Sequence, residues 1–224
     1  MESQIKDLRQ LIFNFQKDVS FNKNDFFISE SNYFAYELIS SWPKWEKKII
    51  NIYGEKNSGK SHLVEIFCLK NKGIKFEAKK FKEDCFDKLK IYQNIILENF
   101  DINLNESLIY SLLDTLEKQN KFVLITSKVP VNSLNIKLKD LRSRLKNCLF
   151  AEIKKPDDLL IEALIAKNLS DYQINLDSKL VDFICKRITR SYEKISQFIC
   201  TINEISLKKK KPISIKIIKD ILDG

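Results

Sequence analysis

At 224 residues the chain has room for one or two small domains with a buried core. No stretch approaches the roughly 20 apolar residues of a membrane-spanning helix, and the polar start Met1-Glu2-Ser3-Gln4 lacks the apolar core of a signal peptide; a soluble, cytoplasmic protein with no membrane partner is expected. The net charge of +9 invites a nucleic-acid reading, but Lys, Ile, Asn and Phe are abundant while Gly and Pro are scarce, a chain-wide bias that raises Lys whatever the function.

The one basic cluster, Lys208 to Lys211, lies between two helical patterns and ends at Pro212, so it reads as a solvated loop, with a DNA or partner contact as the sharper alternative. Five scattered cysteines, Cys68, Cys85, Cys148, Cys185 and Cys200, form no C-x-x-C pair and suit reduced thiols in cores. With His62 as the only histidine, no structural zinc site is expected.

In chain order the first strong element is Lys48-Ile49-Ile50-Asn51-Ile52-Tyr53, an apolar run that predicts a buried strand. It leads directly into Gly54-Glu55-Lys56-Asn57-Ser58-Gly59-Lys60-Ser61, which fits G-x-x-x-x-G-K-[ST], the phosphate-binding P-loop. Gly54 and Gly59 permit the tight turn that aims successive N–H groups at phosphate oxygens, Lys60 adds charge at the β/γ-phosphates, and Ser61 is suited to hold Mg2+. The periodic stretch from His62 to Phe67 predicts a helix whose N-terminal dipole faces the anion. Asn57, Ser58 and His62 belong to the same phosphate-binding turn.

A second strand is expected at Ile74–Ala78 and a third at Asn94–Glu98, an apolar run closed by a carboxylate. Glu106 to Leu116 has helical periodicity, Phe122–Thr126 reads as another buried strand, and Leu149–Ile153 closes the series. Short apolar strands interspersed with helices predict an α/β fold with a parallel sheet covered on both faces. From Pro156 the period is helical only, over roughly 157–169, 177–188, 190–206 and 213–222, so a small all-helical subdomain is expected from about Lys155. The expected organisation is residues 1–20 as a leading peptide and linker, 21–154 as the nucleotide-binding α/β unit, and 155–224 as the helical lid.

The tip of the third strand carries the next chemistry. In P-loop proteins a carboxylate there associates with Mg2+, and a second acid polarises the attacking water. Here the pair is Glu98-Asn99: Glu98 suits the metal role, but the amide of Asn99 cannot accept a proton. Asp101 is the nearest substitute, two positions on. Tight nucleotide binding with slow or negligible hydrolysis is therefore expected.

Together these features, with the polar strand end Thr126-Ser127 and the segment Asp140-Leu141-Arg142-Ser143-Arg144-Leu145, resemble AAA+ P-loop ATPases, and among them the DnaA/Hda family of replication initiators and regulators. The resemblance covers nearly the whole chain. It implies that Asp25 to Asn32, including Phe27, Ile28 and Asn32, cradles the adenine of ADP or ATP; that Thr126 and Ser127 form sensor 1; that Arg190 is the lid arginine called sensor 2; and that Arg144 is an arginine finger acting in trans, assisted by Arg142. Family members usually carry an acid after the Thr-Ser pair, where this chain has Lys128, a second sign of weak self-hydrolysis.

The same resemblance gives the segment Gln10-Leu11-Ile12-Phe13-Asn14-Phe15 a role, because it is similar to the Q-L-x-L-x-[LF] peptide that binds the sliding clamp, the β subunit of DNA polymerase III. Leu11, Phe13 and Phe15 would fill apolar pockets and Gln10 would fix register. DnaA itself continues past the lid into a DNA-reading helix-turn-helix domain, whereas this sequence ends at Gly224; direct origin binding by that route is not expected. The implied function is that of an Hda-like negative regulator, with DnaA, the clamp, DNA through the clamp complex and a second copy of the chain as partners. The competing expectation is a DNA-directed accessory ATPase such as a helicase loader; a small-molecule P-loop kinase fits least.

Overall fold

The computed structural model describes residues 26–174, 176–209 and 213–223. Its centre is a five-stranded, all-parallel sheet of β1 (Ile49–Tyr53), β2 (Gly73–Glu77), β3 (Asn94–Phe100), β4 (Phe122–Ser127) and β5 (Leu149–Glu152), in the spatial order β2-β3-β4-β1-β5. The three middle strands are almost continuously apolar because both of their faces are covered. Ile95, Leu97, Val123 and Ile125 point into one core, and Ile50, Ile52, Ile96 and Leu124 into the other.

The first core is closed by α4 (Glu106–Lys118) and α5 (Lys139–Lys146), with a one-turn helix α3 (Phe86–Leu89) below them. The second is closed by α1 (Tyr33–Ser40) and α2 (Lys60–Asn71), with Trp45 stacked on Phe67 at 5.4 Å between ring centroids. A third core belongs to four helices: α6 (Asp158–Asp171), α7 (Ser178–Cys185), α8 (Tyr192–Lys209) and α9 (Ile215–Asp223), joined around Ile161, Ile165, Ile184, Ile199, Ile202 and Ile218. Among the described residues no helix is long and apolar enough to cross a membrane.

The expected strands and helices all form, with shifted ends. β2 stops at Glu77 because Ala78 opens a 3-10 turn. β3 runs two residues beyond Glu98, through a bulge between Leu97 and Phe100 where Asn99 takes φ +55°. Asparagine tolerates this left-handed conformation better than most residues. Helix α8 starts at Tyr192, after Arg190, and extends to Lys209. Helix α1 lies outside the periodic segments recognised in the sequence; its Tyr33 and Phe34 are more than half exposed, which blurs its apolar face.

Candidate nucleotide-binding site

Ligand crevices of open parallel sheets lie beyond the carboxyl ends of the strands, and the loop from Gly54 to Gly59 connects β1 to α2 at that edge. Its shape follows from three residues. Gly54 packs so closely on the strand beside it that a Cβ would lie 2.8 Å from the carbonyl oxygen of Ile153. Asn57 and Gly59 adopt φ of +65° and +92°, left-handed conformations that glycine takes without strain and asparagine at modest cost. Lys60 then opens α2, and its ammonium turns back onto the loop, donating to Gly54 O at 2.8 Å, Glu55 O at 2.7 Å and Ser58 Oγ at 3.3 Å. Burial, followed by repulsion from Lys128, lowers the Lys60 pKa to about 8, against a smaller opposing pull from Glu55.

A cavity of about 1010 Å³ opens beside this loop. Asn57, Ser58, Gly59, Lys60, Ser61 and His62 line one side; Asn99, Asp101, Ser127 and Lys128 come from the tips of β3 and β4; Tyr192, Ile195, Ser196 and Ile199 present one side of α8. The cleft is thus walled by the sheet edge and the helical subdomain. Its sequence-expected members Asn57 to His62 and Ser127 converge there.

The tips of β3 and β4 are tied to each other. Thr126 Oγ1 accepts a hydrogen bond from the backbone N–H of Asn99 at 3.2 Å. Ser127 Oγ donates to Val129 O at 2.6 Å and accepts from Asn51 Nδ2 at 2.9 Å, while Asn51 Oδ1 receives the Val131 N–H at 3.0 Å. Asn51 is fully buried in β1, between β4 and β5, and through these bonds it fixes the turn that carries Lys128. A lone amide inside Ile-Ile-Asn-Ile-Tyr was a readable signal of such a role. The hydroxyls of Thr126 and Ser127 are therefore both engaged by protein groups, and the cationic side chain that follows them lines the cleft.

Asp101 also lines the cleft, with its carboxylate 2.6 Å from the Lys79 ammonium. Burial raises its pKa, but the bonds from Lys79 and the Asn103 amide, with the charge of Lys128, outweigh this and hold it below the usual carboxylate range. A carboxylate so held is a weak base. Glu98 is half-buried on the α2 side of β3 and is absent from the cleft lining, whereas Ser61 is part of it.

The segment expected to cradle adenine spends its polar groups on itself. Asn32 is buried; its amide donates to Phe27 O at 2.9 Å and its Oδ1 accepts from Ser29 N at 2.9 Å. Phe27 and Ile28 are left largely exposed on the resulting turn. Asp157, the N-cap of α6, reaches this turn through the Ser31 N–H at 3.2 Å and caps its own helix at Leu160 N, 2.9 Å. Burial raises the Asp157 pKa, and the bonds it accepts from Ser29, Leu160 and Ser31 bring it below the usual range. Phe26 packs edge-on to His62 at 5.2 Å.

The two arginines lie elsewhere. Arg190, on the turn before α8, pairs with Asp158 of α6 at 2.8 Å and is mostly exposed. Arg144 projects from α5 onto α4, where it pairs with Asp114 at 2.6 Å and with Glu117, its guanidinium 5.2 Å from the Tyr110 ring centre. Arg142 is exposed, and no ion pair to it is found among the described residues. Gln10, Leu11, Phe13 and Phe15 lie outside the described residues, as does Asp25. No cluster of three metal-ligating side chains occurs among the described residues.

No protein-family model matches the chain. It is similar to the chromosomal replication initiator protein DnaA of Helicobacter hepaticus, 23% identical over 223 residues, or 88% of this chain and 49% of the relative. It is equally similar to DnaA of Buchnera aphidicola subsp. Cinara cedri, 23% identical over 241 residues, covering 96% and 55%. The chain spans about half the length of the curated relatives it matches. Among solved structures, domain III of the Thermotoga maritima replication initiation protein DnaA superposes with a TM-score of 0.74 at 17% identity, over 91% of this chain and 95% of that one. AMPPCP-bound DnaA from Aquifex aeolicus gives 0.67 at 20% identity (87% and 68%), and a Thermotoga maritima RuvB variant 0.66 at 14% (89% and 70%). At these identities it is the architecture that is shared: the chain has the fold of a DnaA-like AAA+ domain, a five-stranded parallel sheet flanked by helices and followed by a helical segment.

Proposed function

We propose that this protein is an Hda-type regulator of replication initiation, which holds an adenine nucleotide without turning it over efficiently and activates the ATP held by DnaA. The observation that carries the reading is the contrast inside one cleft. The P-loop keeps the turn, Lys60 and Ser61 needed to bind phosphate, while the strand tips offer Asn99 and Lys128 where hydrolytic acids are needed. Solved DnaA structures with AMPPCP bound support a nucleotide in this fold.

ADP or ATP would lie along the P-loop, with Lys60 exchanging loop carbonyls for phosphate oxygens. Its three present bonds are to carbonyl and hydroxyl oxygens, which a phosphate replaces with a stronger, charge-assisted acceptor. Ser61, which lines the cleft, would hold Mg2+; Glu98 lies outside the cleft lining and would support the ion only by turning into it, and the ion would supply charge neutralisation at the phosphates. Lys128 adds a second cation at the same end. Arg144 is the group offered to a neighbouring subunit's nucleotide. A planar, permanently charged fork suits a phosphoryl group in transfer, and reaching one requires release from Asp114 and Glu117. Gln10, Leu11, Phe13 and Phe15 would dock on the clamp, bringing the protein to DNA.

The test is single-turnover hydrolysis of ATP preloaded on DnaA, with this protein added in the presence and absence of clamp loaded on DNA. Clamp-dependent acceleration lost in Gln10→Ala and in Arg144→Ala is the expected result. Acceleration that survives Arg144→Ala contradicts the finger assignment, and DNA-stimulated turnover of this protein's own ATP would favour the helicase-loader reading.

A further inference from the structure

Glu55 follows Gly54 in the P-loop, yet its side chain belongs to the other wall of the cleft. One carboxylate oxygen accepts the backbone N–H of Tyr192 and the other the hydroxyl of Ser191 at 3.2 Å, across 137 and 136 residues of sequence. Ser191 is the residue on which α8 begins, since its carbonyl receives the Ile195 N–H at 2.9 Å. The first N–H groups of an 18-residue helix have no partner within the helix and carry its positive dipole end. A carboxylate there satisfies both requirements. The backbone of the same residue faces the phosphate side, because Glu55 O is one of the carbonyls that hold the Lys60 ammonium.

We infer that Glu55 is a positioning residue that latches α8 to the P-loop and thereby sets how long a nucleotide stays bound. The ligand in this statement rests on the nucleotide-binding reading above. The latch itself rests on geometry: Tyr192, Ile195, Ser196 and Ile199 of α8 line the cleft, so the bonds that fix the start of α8 fix the wall over the nucleotide. Phosphate arrival draws Lys60 off the Glu55 carbonyl but leaves its carboxylate on α8, so the lid stays registered to the loop while the loop changes partners. Sequence reading passes over Glu55 because it occupies one of the unspecified positions of the P-loop pattern.

The experiment compares full-length wild type with Glu55→Ala, Glu55→Gln and Ser191→Ala, reading amide hydrogen exchange over residues 192–196 without nucleotide and dissociation of fluorescent ADP. Glu55→Ala should lose protection at the start of α8 and release ADP about tenfold faster, the scale of losing hydrogen bonds to a charged acceptor. Glu55→Gln, which can still accept from Tyr192 N and donate to Ser191, should recover most of both. Ser191→Ala leaves the P-loop intact and should accelerate release about threefold. Unchanged exchange at 192–196 in Glu55→Ala overturns the latch, and changed exchange with wild-type release rates overturns its role in residence time. A wild type that binds neither ADP nor ATP overturns the nucleotide reading instead, and the exchange comparison then decides the latch alone.

Discussion

The two halves of the cleft have kept different things. On the P-loop side the left-handed turns at Asn57 and Gly59, the close approach at Gly54 and the half-buried ammonium of Lys60 are all in place. On the strand-tip side an amide stands at Asn99, Asp101 is neutralised by Lys79, and Lys128 extends from β4 into the cleft. Binding needs donors and positive charge, whereas hydrolysis needs a base near water. Binding and turnover therefore draw on different groups, and the proposed function assigns this cleft the binding set alone.

Substitutions on either side of the cleft probe this contrast. The largest effect is expected from Lys60→Met, which should weaken ADP binding about hundredfold in a fluorescence titration, through loss of a charge-assisted contact to phosphate. The same variant should melt at a higher temperature than wild type at neutral pH. The folded-state pKa of Lys60, about 8, lies below the unfolded value of 10.5, so the cost of burying the charge is fully present below pH 8 and is relieved as pH rises towards 10.5. By the same linkage, ADP affinity of the wild type should fall on the order of tenfold between about pH 7 and 9 as free Lys60 loses its proton.

On the other half, Asn99→Asp alone should leave single-turnover ATP hydrolysis near the wild-type rate, because the Lys128 ammonium in the same cleft would lower the basicity of a new carboxylate. Asn99→Asp with Lys128→Asp should raise it by about tenfold or more, the lower part of what a positioned base contributes. Asn51→Leu, which strips the Val131 N–H of its acceptor and Ser127 of its donor, should cost about 2–3 kcal/mol in urea unfolding and loosen the turn that carries Lys128. The smallest effect belongs to Asp114→Asn. Removing this carboxylate, which pairs with both Arg144 and Lys118 at the surface, should barely move the melting temperature, while speeding hydrolysis of DnaA-held ATP if the arginine must leave that pair to act.

Legibility followed burial and backbone constraint. The strands were readable because β1, β3 and β4 are covered on both faces and so are apolar over most of their length; the P-loop was readable because its turn restricts which residues fit. The helical segment showed its 3.6-residue period in four stretches, and only its ends drifted. Where side chains are spent locally, the sequence was a weaker guide. Asn32, expected from the family resemblance to help cradle adenine, makes its side-chain hydrogen bonds within the Phe27–Ser29 turn. Arg190 and Arg144 were expected from the family resemblance to serve as lid arginine and finger, and the partners they have here, Asp158, Asp114 and Glu117, are set by helix packing that no local pattern encodes. The end of β3 was missed by two residues because a bulge depends on cross-strand register, not on composition.

Separation of binding from turnover can be read on a single sample, by loading the purified protein with radiolabelled ATP and following bound nucleotide and product together. Near-stoichiometric binding with almost all label still ATP after many minutes is the predicted result. Rapid conversion to ADP by the protein alone, or failure to retain ATP, would contradict it.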